Sequence, residues 1–263
     1  MVTLISHFYN EEYLLPFWIK HHKPLFDNAV LIDHGSTDNS RKIIEHLAPE
    51  WKVINSDLEE FDPLLTDFEV QCTERTVDGW KIVLNTSEFL AGDLKGVISE
   101  CNTSGVKAVI PKARIMIDAY PNNELDLDKP LLTQKPYGVD DGVLYDILFR
   151  GHLFTKLIKL IHNLGWKERG RSRLLHSHPI GGYTVGRHNW IHPAKKTNKI
   201  TICWFGYSPW NNKFISRKRS FANKLPKENL NLGHQHRANQ AQLNKAYFKH
   251  LLFYKIFGNE NLF

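Results

Sequence analysis

Between Gly79 and Asp93 the chain reads GWKIVLNTSEFLAGD. An apolar triplet, Ile82-Val83-Leu84, runs into the polar cluster Asn85-Thr86-Ser87-Glu88 and then back into Phe89-Leu90. A buried strand that delivers oxygen ligands to a sheet edge can hold a divalent cation, usually through two carboxylates. Here Glu88 is the single carboxylate, and Asn85 and Ser87 are neutral donors. Three readings are open: a metal site with replaced ligands, a metal-free site, or a plain strand end. Two more polar clusters follow apolar runs. Tyr9-Asn10-Glu11 follows Val2 to Phe8, and Asp33-His34-Gly35-Ser36-Thr37-Asp38 follows Ala29 to Ile32. Carboxylates such as Asp33 and Asp38 accept strong charge-assisted hydrogen bonds. Asp38 reads equally well as a helix cap. His34 can donate to a ligand or simply fill the turn.

These clusters need elements to hold them. The run at 2–8 is a short buried strand, and EEYLLPFWIKHHKPLF has helical spacing, with Asn10 placed to cap it and Pro16 near its start. Ala29 to Ile32 is a second strand, SRKIIEHLA a helix, WKVINS a third strand, LLTDFEVQCTERTVDG a helix ended by Gly79, and WKIVL a fourth strand. Strands alternating with helices predict an α/β fold whose mostly parallel sheet is flanked by helices. Ligands in such sheets sit outside the carboxyl ends of the strands, so the three clusters converge on one site. Further on, GVKAVIPKARIMIDAY reads as one or two strands and PNNELDLDKPLLTQKPYGVDDG as a loop-rich lid. LFTKLIKLIHNLGW reads as a helix with a basic face, GGYTVGRHNW and KITICWFGY as strands, and NQAQLNKAYFKHLLFYKIFG as a last helix.

The net charge is +6 and the pI about 9.1. The basic runs gather in the second half: KLIKLIHNLGWKERGRSR, HPAKKTNK and SRKRSFANK. No zinc finger, RNP motif or basic heptad region accompanies them, which argues against nucleic acid and for phosphate-bearing ligands or an anionic membrane surface. The three cysteines, Cys72, Cys101 and Cys203, form no CxxC pair. With no secretory leader pattern and no apolar run of spanning length, the expected place is cytoplasmic, with peripheral contact at the inner face of a membrane left open.

HFYNEE followed by VLIDHGSTDNS resembles the opening of glycosyltransferase family 2 and its family 92-like subgroup. In these, strand, NE, helix, strand and GSTD turn precede a DxDEF-like end to the fourth strand. Here Asn85-Thr86-Ser87-Glu88-Phe89 stands at that end, and the resemblance covers roughly residues 1–120. It implies a Rossmann-like GT-A fold, with a nucleotide-sugar-binding half (1–120) and a basic acceptor-binding half (121–263) in one continuous domain. It implies an inverting transfer of a hexosyl or related sugar from a nucleotide-diphosphate donor to a glycan or lipid-linked acceptor, as in polysaccharide biosynthesis. Tyr9, Asn10, Glu11, Asp33, His34, Asp38, Asn85 and Ser87 would line the donor. Glu88 would hold Mn²⁺ or Mg²⁺ at the diphosphate. Alternatively the action is metal-independent, and Arg187, Arg217, Lys218, His234 and His236 neutralise the leaving group. The general base is expected at His188, with Asp118, Asp140, Asp141 and Glu168 as alternatives. The histidines of GHQH lack a third ligand for zinc. The missing acids also motivate a second reading, a nucleotide-sugar-binding protein without catalysis. A nucleotidyltransferase would want glycine in the first loop, and SHFYNEE has none.

Overall fold

The computed structural model describes residues 1–121, 124–141, 171–226 and 237–258. Its nine strands form one mixed sheet, in the order β3-β2-β1-β4-β8-β6-β9-β5, with β7 paired to β6. Strands β1 (Val2–Phe8), β2 (Asn28–Asp33), β3 (Lys52–Asn55) and β4 (Trp80–Val83) are mutually parallel. Strands β6 (Ala108–Ile117) and β9 (Lys195–Tyr207) are parallel as well, so most of the ladder is parallel. Three short strands join antiparallel: β5 (Glu88–Gly92), β7 (Gly138–Asp140) and β8 (Leu175–His176).

Alternation explains why the central strands are apolar on both faces. Leu4, Leu31 and Ile82 face one core, with Trp18 of α1 (Leu15–His22) and Ile44 of α2 (Ser40–Leu47). Their sequence neighbours Ile5, Ile32 and Val83 face another, with Val70 of α3 (Pro63–Glu74). Helices therefore cover both faces, as the sequence pattern requires.

Helix α3 is capped by Asp62, whose carboxylate accepts from Leu64 and Leu65 N–H. Helix α4 (Leu94–Ser104) is capped by Asp93 and ends on the left-handed Gly105. Helices α5 (Leu131–Gln134), α6 (Asn212–Ser220) and α7 (Gln240–Phe257) complete the described chain, with a 3₁₀ turn at Phe221–Lys224.

Several expectations need correction. Asn10 caps no helix: it sits at φ 51, α1 starts only at Leu15, and its side chain is spent on the neighbouring loop. Helix α3 stops at Glu74, before Gly79. GGYTVGRHNW is a loop closed by a single bridge, Tyr183 to Trp190, because Gly182, Gly186 and Arg187 take positive φ. The supposed lid contributes α5 and β7 to the body of the fold. The expected helix LFTKLIKLIHNLGW lies outside the described residues.

Candidate diphosphate and donor site

The carboxyl ends of the parallel strands β1, β2 and β4 lie at one edge of the sheet, and the loops after β1 and β2 are sewn together. Asn10 Oδ1 accepts from the N–H groups of Thr37 (2.8 Å) and Asp38 (3.3 Å), and Asn10 N–H donates to Ser36 Oγ at 3.1 Å. Glu11 N–H donates to Ser40 Oγ and Glu12 N–H to Asp38 Oδ2. Gly35, at φ 73, allows the tight turn. Asp38, one residue before the N-cap position of α2, which Asn39 occupies, also accepts from Ser40 N–H at 2.9 Å.

Asp33 lies at the floor of the β2 loop, 3% exposed. Its Oδ1 accepts from Ser36 N–H at 2.8 Å and its Oδ2 from Arg41 Nε at 2.5 Å. Arg41 is itself half-exposed, and its Nη2 also donates to Asn55 Oδ1. His34 is buried against His7 and Tyr9, its Nδ1 3.2 Å from Ser56 Oγ. Burial, then the charges of His7 and Lys224, push its pKa down to about 4, which keeps the ring neutral near pH 7. Tyr9 is covered by Phe221 edge-on and by the Lys224 ammonium, 5.2 Å from its ring centroid. Glu11 is paired with Arg217 of α6.

The cluster after β4 is an ion-pair network. Glu88 is fully buried, and Arg173 grips it with both arms, Nη2 to Oε1 at 2.6 Å and Nε to Oε2 at 3.0 Å. Asn85 N–H adds a bond to Oε2 at 2.9 Å. Asn85 Oδ1 in turn accepts from Arg187 Nη2 at 3.1 Å, and Arg187 Nη1 is paired with the buried Asp67 at 2.5 Å. Ser87 uses its carbonyl to accept Phe205 N–H, tying the motif to β9. His188 Nδ1 lies 3.4 Å from Arg173 Nη1.

A second layer of cations stands beside this network. Trp204 is the register partner of Glu88 across the β5–β9 ladder, and registered neighbours share a face of a sheet. The Arg171 guanidinium lies 3.5 Å over the Trp204 ring. The Lys218 ammonium lies 5.9 Å from the same ring and 5.3 Å from those of Tyr207 and Phe214.

Most of the expected residues are thus brought together: Tyr9, Asn10, Glu11, Asp33, His34, Asp38, Asn85, Ser87, Glu88, Arg187, His188, Arg217 and Lys218. His234, His236 and Glu168 lie outside the described residues. Two of the alternative bases are structural. Asp118 is buried against Lys135 at 2.8 Å and also accepts Trp210 N–H, and Asp140 is paired with Lys112 and Arg114. Asp141 accepts Arg171 N–H at 2.7 Å. Sequence reasoning missed Arg171, Arg173 and Asp67. Arg171 and Arg173 were visible only as part of a basic run, although their i, i+2 spacing puts both on one side of an extended segment.

The residues present do not fit a divalent metal at Glu88. Both its oxygens are held by a guanidinium, Asn85 Oδ1 is held by another, and no second carboxylate of the described residues is bonded there. Among the described residues no group of three or more His, Cys, Asp or Glu side chains is arranged to hold an ion.

No protein-family model matches the chain, and no curated protein matches it by sequence. Among solved structures it is similar to glucosyl-3-phosphoglycerate synthase from Mycobacterium tuberculosis in complex with Mn²⁺, uridine diphosphate and phosphoglyceric acid. That match has 13% identity over 44% of this chain and 43% of that one, with a TM-score of 0.33. The same enzyme with Mn²⁺, uridine diphosphate and glucosyl-3-phosphoglycerate matches at 10% identity over 67% and 56%, TM-score 0.35. A mycobacterial protein matches at 14% identity over 44% and 41%, TM-score 0.34. The chain spans less than two thirds of each of these structures. Likeness at this level says nothing of chemistry, which has to come from the residues themselves.

Proposed function

We propose that the chain is a GT-A-type glycosyltransferase that moves a hexosyl or related sugar from a nucleotide-diphosphate donor to a glycan or lipid-linked acceptor, with inversion. One observation carries this reading: the polar loops at the carboxyl ends of β1 and β2 are stitched into one wall, the Asn85–Glu88 cluster follows the neighbouring strand β4, and two half-buried cations, Arg171 and Lys218, stand beside that cluster. The wall, built mostly from residues 1–120, suits a base and ribose, with Asp33 as the acceptor for their N–H or O–H groups once Arg41 moves aside. Asn10, Glu11 and Asp38 act by holding the wall in place. The cations come from the half after residue 120 and suit a diphosphate. His188, beside the Glu88–Arg173 pair, is the proposed base: its imidazole takes the acceptor hydroxyl proton as the bond from sugar to diphosphate breaks.

A thermal-shift screen of UDP-, GDP-, CMP- and dTDP-sugars, each with EDTA or Mn²⁺, tests the donor class. One nucleotide family is expected to raise the midpoint by several degrees, as about a hundredfold excess over Kd stabilises by roughly 2.7 kcal/mol. No shift with any of the four would sink the reading. The engaged oxygens of Glu88 favour one alternative, a nucleotide-sugar-binding protein without turnover. Donor hydrolysis separates the two: binding without any release of nucleotide favours the alternative.

The outer face of α7 fits a peripheral membrane contact. Phe248, Leu252 and Ile256 are 62, 52 and 48% exposed and one turn apart, and the exposed Lys245 and Lys255 flank them. An apolar stripe edged by lysine suits an anionic bilayer surface. No helix among the described residues is long and apolar enough to cross a membrane. Co-sedimentation with phosphatidylserine vesicles is expected for the wild type. It should fall to background in the Phe248→Ser/Leu252→Ser variant, and absence of wild-type sedimentation would remove the contact.

A further inference from the structure

We infer that Arg171 and Lys218, seated on Trp204 beside the Glu88–Arg173 pair, form a metal-independent site for a diphosphate. The inference deepens the proposed function and rests on it for the identity of the ligand. The place of a metal motif holds a carboxylate already neutralised by arginine. Three ion pairs are closed around it: Glu88–Arg173, Asp67–Arg187 and Glu11–Arg217. Arg171 and Lys218 are left over, with no carboxylate within ion-pair distance among the described residues. Two uncompensated cations match the two charges of the diphosphate in a nucleotide sugar.

Their hydrogen-bonding capacity is also unspent. Lys218 Nζ has three donors and one acceptor, the Gly206 carbonyl at 2.8 Å. Arg171 Nε is buried with no hydrogen-bond partner among the described residues. Buried donors left unsatisfied are costly and rare, and a site awaiting an anion explains them. The aromatic platform makes the burial tolerable, since cations over ring faces recover part of their lost solvation. Fixed cations stabilise a leaving diphosphate as a metal would, without a ligand shell to assemble.

A titration marks the site. Burial first, then the charges of Arg217 and Arg171, push Lys218 down to about 7, and Glu11 opposes them. The other titratable neighbours are Tyr207, over which Lys218 lies, and His250, stacked on Tyr207. Burial pushes His250 down to about 4, so it stays neutral above pH 6. A diphosphate favours protonated Lys218. Binding at pH 8 therefore takes up a proton, and affinity falls as pH rises through 7.

The test is calorimetry on the full chain in excess EDTA, with inorganic pyrophosphate and UDP as probes, in buffers of different ionisation enthalpy at pH 8. Both probes are expected to bind, and UDP, whose phosphates are already fully ionised at pH 8, with net proton uptake. Lys218→Met, which keeps the side chain's length and removes a half-buried charge, should weaken both about tenfold to a hundredfold and abolish the proton uptake, the range for one lost charge-assisted hydrogen bond. Arg171→Met should weaken them comparably. If Arg171→Met does not fold, Lys218→Met and the proton uptake decide alone. Binding seen only with added Mn²⁺, or unchanged in Lys218→Met, overturns the inference while leaving the donor reading intact. Pyrophosphate binding in EDTA without preference for any nucleotide does the reverse.

Discussion

Arg173→Met is expected to destabilise the protein by about 3–5 kcal/mol, the cost of removing one member of a buried ion pair. Glu88 is fully buried and Arg173 is 3% exposed. Removing the guanidinium leaves a carboxylate in a dry site with only Asn85 as donor. The urea midpoint should fall sharply with little change in slope. The double variant Glu88→Gln/Arg173→Met should recover much of the loss, because no unpaired charge remains and Gln can still accept from Asn85 N–H. That recovery separates an ion pair from a packing defect, in which the two losses would add. The result also bears on the metal question. Were Glu88 a metal ligand, Arg173 would be dispensable for folding, and an unchanged midpoint in Arg173→Met would return Glu88 to that role.

The half of the fold that could be read in advance is the half governed by local rules. Strands β1, β2 and β4 are mostly apolar, interrupted by Thr3, Ser6, His7 and Lys81, because both their faces are buried. The GSTD turn announces itself by glycine and capping residues. The rest depends on partners distant in the chain. Arg173 meets Glu88 across 85 positions and Arg217 meets Glu11 across 206, and no spacing rule reaches that far. Strand β5 was hidden because it opens on a charged residue, which only its ion pair makes tolerable inside. The segment carrying Arg187 and His188 reads as strand in the sequence, since Tyr183, Thr184, Val185 and Trp190 are β-formers, yet Gly182 and Gly186 set a looped backbone. The resemblance implies a diphosphate edge at residues 85–88, whereas the pairing of Glu88 with Arg173 there is a tertiary fact.

Asp67→Asn is expected to lower donor turnover about a hundredfold while leaving the protein folded, the scale of loss when a catalytic group shifts by about an ångström. Asp67 and Glu74 lie two turns apart on one face of α3, both buried. Glu74 anchors the start of the 177–190 loop, accepting from Gly181 N–H at 2.7 Å and Tyr183 O–H at 2.6 Å, with His176 Nε2 at 3.1 Å. Asp67 anchors its end, accepting from Gly186 N–H at 2.6 Å and Arg187 Nη1 at 2.5 Å. Arg187 itself sits at φ 58, a left-handed backbone that an L-residue holds only when its surroundings enforce it. Asp67 is thus a positioning residue: it fixes the segment that presents Arg187 to Asn85 and His188 to Arg173. Asparagine keeps an acceptor for Gly186 but leaves Arg187, only 7% exposed, without its counter-charge. The loop should then open more often, so amide exchange at Gly186 to Asn189 should quicken while the central strands stay protected. The turnover loss should fall on kcat more than on KM, and Asp67→Glu should restore part of it. Normal turnover with faster exchange would show that the loop's order does not limit the reaction, and unchanged exchange would show that Asp67 does not hold the loop.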